Sequence, residues 1–153
     1  MPTPEERLQE LGVSLPAPAT PVAAYVPCVR TGDLVYVSGQ VPMVDGKPSH
    51  LGHLGDDVSL EDGRAAARTC AINVLAALKA ELGELSRVRR VVKVTGFVAS
   101  TADFTDHPKV VNAASELFGD VFGDAGRHAR AAVGVAALPL GVPVEVEAIV
   151  EVA

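Results

Sequence analysis

The sequence predicts an α+β fold in which two helices cover one face of a mixed β-sheet. The main observation is the order of its patterns, which run as a strand hairpin, a long helix, a strand, a second helix and a final pair of strands. Hydrophobic residues make up 48% of the 153-residue chain, which is enough for a substantial core. This length favours one domain spanning residues 1–153.

Residues 1–21 are predicted to form a short helix followed by an extended lead-in. Thr3 suits the capping position of a helix, Pro4 suits its first position, and Glu6 completes a capping box. Gly12 is expected to end the helix. The Pro- and Ala-rich run from 15 to 21 excludes regular structure.

The first hairpin is predicted from two strand-like runs, residues 22–29 and 34–38, which flank a Thr-Gly-Asp turn at 31–33. Residues 41–58 are rich in proline and glycine, which indicates a loop. A short strand is expected near residues 50–54.

Two helices are predicted next. The longer one begins at Ser59, which forms a capping box with Asp62, and it ends at Gly83. Its apolar residues at helical spacing are Ala66, Cys70, Val74, Leu75, Leu78 and Leu82. Asp106 is expected to cap the second helix, which ends within residues 123–126. The buried face of this helix is predicted to carry Val111, Ala114, Leu117 and Phe118.

Three more strands are predicted at residues 88–100, 131–137 and 142–152. The Leu-Pro-Leu-Gly corner at 138–141 predicts that the last two strands pair as antiparallel neighbours. Two helices cover only one sheet face, so the other face needs a cover, which a second copy of the chain often supplies.

Arg130 leads the first strand of this final pair. An arginine at a strand end most often pairs with a surface acid. The alternative is a carboxylate clamp, because a planar guanidinium binds a carboxylate through two parallel hydrogen bonds and lysine does not. Antiparallel pairing would bring Arg130 into the same region of the sheet as Glu145 and Glu147.

Glutamates alternate with apolar residues in the last strand, so Glu145, Glu147 and Glu151 share one face. Such a face is usually solvated. The alternative is that one of these carboxylates orients or deprotonates a water molecule.

A Ser38-Gly39 pair follows the second strand and is either an ordinary strand end or a place where a hydroxyl and a backbone N–H bind a small anion. Asn112 lies near the start of the second predicted helix and is either an exposed polar residue or part of the same site.

The composition disfavours several classes of function. A formal net charge of -6 and a pI near 5.1 argue against binding the nucleic-acid backbone. Two cysteines without a CxxC motif, no signal-peptide pattern and no apolar run near ~18 residues predict a cytoplasmic protein without a membrane span. His50 and His53 lack further ligands at characteristic spacing, so no metal site is predicted, and no nucleotide-binding motif is present.

Several segments from Val22 to the C-terminus follow one another in a recognisable order. They are L-V-Y-V-S-G-Q-V-P at 34–42, N-V-L-A-A-L-K at 73–79, V-V-K-V-T at 91–95, Arg130 with Val133, Leu138 with Pro139, and V-E-V-E-A-I at 144–149. Together they resemble the RidA/YjgF family of reactive enamine/imine deaminases. The resemblance implies the chorismate-mutase-like fold of that family and a homotrimer with its sites at subunit interfaces.

The resemblance also implies roles for individual residues. Arg130 would bind the substrate carboxylate, and Glu145 would be the catalytic glutamate. The remaining substrate-binding residues would be Ser38, Gly39, Tyr25 and Asn112. In a trimer, Tyr25 or Asn112 is expected to reach Arg130 from a neighbouring chain.

Four features depart from the family pattern and resemble a divergent branch. A helix at about residues 3–12 is added, and the loop after Gln40 is longer. Ala132 stands where many members have cysteine, and His128 stands where proline is usual.

The implied activity is cofactor-independent hydrolysis of 2-imino and enamine acids to 2-oxo acids and ammonia. The expected partners are a small carboxylate-bearing imine and two further copies of the chain, with no nucleic acid and no membrane. One alternative is a trimer that binds small carboxylates or metabolites without turnover. The other is an RNA-directed activity of the kind named in endoribonuclease-like members.

Overall fold

The computed structural model describes residues 1–18 and 23–153. In that part of the chain the helices are α1 (Pro4–Glu10), α2 (Leu60–Leu82) and α3 (His107–Phe122). The strands are β1 (Cys28–Thr31), β2 (Leu34–Gln40), β3 (Met43–Val44), β4 (Lys47–Pro48), β5 (Val88–Ala99), β6 (Ala129–Val135) and β7 (Val144–Val152).

Five strands form one mixed sheet in the order β1-β2-β7-β5-β6. All neighbours are antiparallel except β5 and β6, which are parallel because α3 connects them as a crossover. The predicted α+β fold with a mixed sheet and helices is therefore confirmed.

The predicted pairing of the last two strands is wrong. Residues 139–141 form a short 3-10 turn, with Leu140 at a φ of 62°. The chain then crosses the end of β5, so β7 pairs with β5 and β2 instead of with β6. This central position buries alternate β7 residues: Val144, Val146, Ala148, Val150 and Val152.

The first hairpin forms as predicted, with Thr31 opposite Leu34 and Gly32 at a φ of 60°. Its first strand begins at Cys28 and not in the early twenties, since residues 23–27 are not in a strand. The predicted start at Val22 and residues 19–21 of the lead-in lie outside the described residues.

The expected strand near 50–54 is also wrong, because only Leu54 forms bridges there, to Val58 and Ser100. The loop instead contains the β3–β4 hairpin. Its turn is Asp45-Gly46, with both residues at positive φ, which is the turn that a two-residue hairpin favours.

The ends of α1 and α2 follow the predicted capping residues. Thr3 and Glu6 form the capping box of α1, Ser59 accepts a hydrogen bond from the backbone of Asp62, and Gly83 follows α2. Asp106 precedes α3 without making a side-chain cap. The four apolar residues predicted for the buried face of α3 are buried.

Helices α2 and α3 pack on one face of the sheet. At Gly96 of β5 a Cβ would overlap the side chain of Val111, so the missing side chain lets α3 lie close to the strand. The opposite face, called the open face below, carries apolar side chains that are exposed or half-buried: Val29, Tyr36, Phe97, Val133 and Ile149.

Within the described residues, no helix combines the length and the apolar character that crossing a membrane would require.

Candidate active site

Arg130 lies on the edge strand β6, opposite Val94 of β5, and its side chain is on the helix-covered face. One guanidinium nitrogen, Nη1, donates hydrogen bonds to Asn112 Oδ1 at 2.8 Å and to Ser115 Oγ at 3.2 Å. Asn112 and Ser115 are three residues apart on α3, so both face the same way.

The two bonds use both hydrogens of Nη1. Within the described residues, Nε and Nη2 of Arg130 make no hydrogen bond to the protein. These two nitrogens form the fork that binds a carboxylate bidentately. Arg130 therefore has one edge fixed by α3 and the other edge available to an anion.

A cleft of about 300 Å³ lies beside this arginine. Its lining residues are Ser115, Gly119, Gly126, Arg127, His128 and Arg130. Ser115 and His128 were missed as site residues from the sequence. The position of Ser115 one helical turn after Asn112 is the signal that could have identified it.

His128 is half-buried and makes two hydrogen bonds: its Nδ1 lies 2.6 Å from the Gly126 carbonyl oxygen, and its Nε2 lies 2.9 Å from Ser115 Oγ. Its ring packs edge-on against Phe118. Burial lowers the pKa of His128 below its ordinary value. The bond to Gly126 opposes this shift, and the neighbouring charge of Arg130 adds to it.

Glu145 projects from the open face of β7 and is half-buried between Phe97 of β5 and Gly39 of β2. Burial raises the pKa of Glu145, and the charge of Glu147 raises it further. A Cβ at Gly39 would overlap the Glu145 carboxyl group, so only glycine permits this close approach. A carboxyl with a raised pKa is suited to proton transfer.

Ser38 holds the adjoining segment in place. Its hydroxyl donates to the Val26 carbonyl at 2.7 Å, and its backbone N–H donates to the Pro27 carbonyl at 2.8 Å. Tyr25, next along that segment, is 58% exposed. The Ser38 hydrogen is thus engaged within the protein, and the hydroxyl oxygen remains as an acceptor.

Within one chain, Arg130 and Glu145 are not brought together. Arg130 is level with Val94 of β5 and Glu145 is level with Phe97, three residues further along that strand. Successive side chains of a strand point to opposite faces, so the two residues lie on opposite faces of the sheet. The antiparallel pairing that was expected to bring Arg130 into the same region of the sheet as Glu145 and Glu147 does not form, because β5 lies between β6 and β7.

Asn112 contacts Arg130 of its own chain. The expectation that Asn112 would reach Arg130 from a neighbouring chain is corrected by this contact. Two groups of candidate residues result, one with Arg130 and Asn112 at the β6 edge and the other with Glu145, Gly39, Ser38 and Tyr25 at the open face.

The histidines of the long loop have protein partners. His53 Nε2 is 2.8 Å from the Ala136 carbonyl, and His50 Nδ1 is 2.9 Å from Ser49 Oγ. In residues 1–18 and 23–153, no group of three or more His, Cys, Asp or Glu side chains is placed to hold a metal ion.

Comparison with known proteins matches residues 5–151 to the family described as "YjgF/chorismate mutase-like, putative endoribonuclease". Protein TCP17 of Trypanosoma cruzi is 50% identical over 145 residues, covering 94% of this chain and 91% of that protein. The 2-iminobutanoate/2-iminopropanoate deaminase of Salmonella typhimurium is 38% identical over 133 residues, covering 87% and 90%.

A crystal structure from Agrobacterium tumefaciens, of a protein of unknown function, superposes with a TM-score of 0.93 at 49% identity. It covers 99% of this chain and 94% of that one. The family match spans nearly the whole chain, and the deaminase relative shares more than a third of its residues. The chain therefore belongs to the YjgF/chorismate mutase-like family, which includes imine deaminases.

Proposed function

We propose that this protein hydrolyses 2-imino acids, and the enamines that tautomerise to them, to 2-oxo acids and ammonia. The observation that carries the proposal is the guanidinium of Arg130, which is fixed at Nη1 by Asn112 and Ser115 and open at its other edge beside a cleft. This arrangement suits a small substrate that carries a carboxylate.

Glu145 supplies the proton transfers. As a carboxylate it accepts a proton from a water molecule, whose oxygen bonds to the imine carbon while the C=N π electrons move to nitrogen. The protonated Glu145 returns the proton to that nitrogen, which gives a carbinolamine. Glu145 then takes the proton of the new hydroxyl group and passes it to the amino nitrogen. The electrons of the C–N bond leave with ammonia, and the oxygen forms the C=O bond of the 2-oxo acid. The raised pKa of Glu145 brings its two protonation states closer together in free energy.

The proposed reaction calls on no metal or organic cofactor, because the imine carbon is already electrophilic. The role of the protein is to hold the substrate carboxylate at a fixed distance from the base and the water.

We infer that Arg130 and Glu145 meet between subunits of a homotrimer. Since they lie on opposite faces within one chain, Arg130 at the β6 edge must approach the open face of another copy to act with its Glu145. Such a head-to-tail contact closes into a ring when the rotation fits three copies. It would also cover exposed apolar residues of the open face, including Val29, Tyr36 and Val133.

The direct test is turnover of 2-imino acids generated by an amino-acid oxidase, with the oxidase in excess so that imine hydrolysis limits ammonia release. We expect release well above the rate without the protein. Saturable binding of a 2-oxo acid without turnover would support a non-catalytic carboxylate-binding protein. Cleavage of single-stranded RNA that weakens with rising salt would support the RNA-directed alternative, which a net charge of -6 disfavours.

Replacement of Gly39 by alanine is expected to lower turnover by about 10- to 100-fold while the fold is retained. Gly39 is not at positive φ, so alanine fits its backbone, but the added methyl group must displace the Glu145 carboxyl. Steady-state kinetics and thermal unfolding separate the two effects. In a Glu145→Gln background, Gly39→Ala should cause little further loss, and a full additional loss would show that Gly39 acts independently of Glu145.

A further inference from the structure

Three hydrogen bonds connect the loop before β6 to the guanidinium of Arg130. His128 Nδ1 lies 2.6 Å from the Gly126 carbonyl, and His128 Nε2 lies 2.9 Å from Ser115 Oγ. Ser115 Oγ in turn accepts a bond of 3.2 Å from Arg130 Nη1. The residues Gly126, His128, Ser115 and Arg130 thus form one continuous relay.

The hydrogen positions in this relay follow from the chemistry of each group. A carbonyl only accepts, so Nδ1 of His128 carries a proton. Burial and the charge of Arg130 both lower the pKa of His128 and favour the neutral ring, which is then the Nδ1–H tautomer with Nε2 as an acceptor. A guanidinium only donates, so Ser115 Oγ accepts from Arg130 and gives its own hydrogen to Nε2.

Both ring nitrogens of His128 are engaged by protein groups, so His128 has no proton to give to a substrate. Its effect must pass through Ser115 to Arg130. Without an acceptor at Nε2, the Ser115 hydroxyl is free to rotate, and its lone pair no longer stays aimed at Nη1.

We propose that His128 is a positioning residue, which orients the Ser115 hydroxyl and thereby aims the open edge of the Arg130 guanidinium at a substrate carboxylate. The effect on the KM for imines rests on the proposed imine hydrolysis, whereas the role of His128 in orienting Ser115 and Arg130 does not depend on that function.

Two substitutions of His128 separate the relay from simple packing. In His128→Gln the side-chain oxygen reaches the position of Nε2 and can accept from Ser115, whereas in His128→Asn the amide reaches only the position of Nδ1. Both variants lose the ring that packs on Phe118. We expect His128→Gln to keep KM within about twofold and His128→Asn to raise KM about tenfold, with kcat changed less than KM in both.

Ser115→Ala should raise KM about as much as His128→Asn does. The double variant Ser115→Ala/His128→Asn should have a KM no higher than that of Ser115→Ala alone, because both changes break the same relay. Equal KM values for the Gln and Asn variants, or additive effects in the double variant, would overturn the proposal.

Nitrogen-15 NMR gives a test that needs no turnover. We expect the Nδ1–H tautomer of His128 in the wild type. We also expect slower rotation of the Arg130 guanidinium in the wild type and His128→Gln than in His128→Asn, where the bond to Asn112 still holds Nη1 but the relay is broken. An Nε2–H tautomer, or equal guanidinium rotation in all three proteins, would refute the relay. If the wild type shows the expected spectra but no imine hydrolysis, the proposed function fails and the relay stands.

Discussion

Arg130→Lys is expected to fold normally and to lose about 100-fold in kcat/KM for 2-imino acids. An ammonium group cannot donate to Asn112 and Ser115 while also presenting two parallel N–H groups to a carboxylate. Loss of two charge-assisted hydrogen bonds, at about 1.5 kcal/mol each, corresponds to that factor. Steady-state kinetics and thermal unfolding measure the two parts of the prediction.

The matched control is Arg127→Lys. Arg127 lines the same cleft but is exposed, and within the described residues its side chain makes no hydrogen bond. It should therefore change kcat/KM only a few-fold. Near-wild-type turnover by Arg130→Lys would show that Arg130 does not act as a carboxylate clamp.

Glu145→Gln is expected to lower kcat by about 10²- to 10⁴-fold with a smaller effect on substrate binding, since the lost group acts mainly in the transition state. Glu147→Gln is the control, because Glu147 is an exposed glutamate on the same face two residues along β7. Its effect on kcat should be mild, and the reverse ranking would show that Glu147 is the acting carboxylate.

The pH dependence follows from the raised pKa of Glu145. The carboxylate of Glu145, which acts as the base, predominates only above that pKa. As the pH is lowered, kcat/KM should therefore begin to fall at a pH above the ordinary pKa of glutamate. Glu147→Gln removes one cause of the shift and should move this acid limb to lower pH.

The stability effect of Glu145 has the opposite sign to its catalytic effect. A carboxyl whose pKa is raised in the folded state contributes its full stabilisation below its unfolded pKa, and it loses that contribution as the pH rises through the folded pKa. At neutral pH, Glu145→Gln should therefore unfold at the same temperature as the wild type or higher. Loss of activity with no loss of stability would separate catalysis from folding.

The sequence predicted elements whose pattern is local. The capping residues Thr3 and Ser59, the Gly83 stop and the alternation in β7 each depend on neighbours a few residues away, and all are found. The pairing of β6 and β7 depends on the path of the chain across β5. A Leu-Pro-Leu-Gly corner looks the same in sequence whether or not its flanking strands are neighbours.

The candidate site was predictable only in part, for the same reason. The family resemblance identified Arg130 and Asn112, and the structure shows their contact. Ser115 and His128 join them only because α3 lies across the start of β6 at a particular rotation, which no local pattern encodes. The opposite orientations of Arg130 and Glu145 required the register of both strands on β5.

Mixing two inactive variants tests the shared site most directly. Chains carrying Arg130→Ala and chains carrying Glu145→Gln are combined under conditions of subunit exchange, after light scattering has shown for each a mass near three times 15.8 kDa. If each site takes Arg130 from one chain and Glu145 from the next, random mixing restores about one quarter of the sites. Arg130→Ala mixed with Asn112→Ala should restore none, because those two residues belong to the same chain. No recovery in the first mixture, with exchange demonstrated, would contradict a site built between subunits.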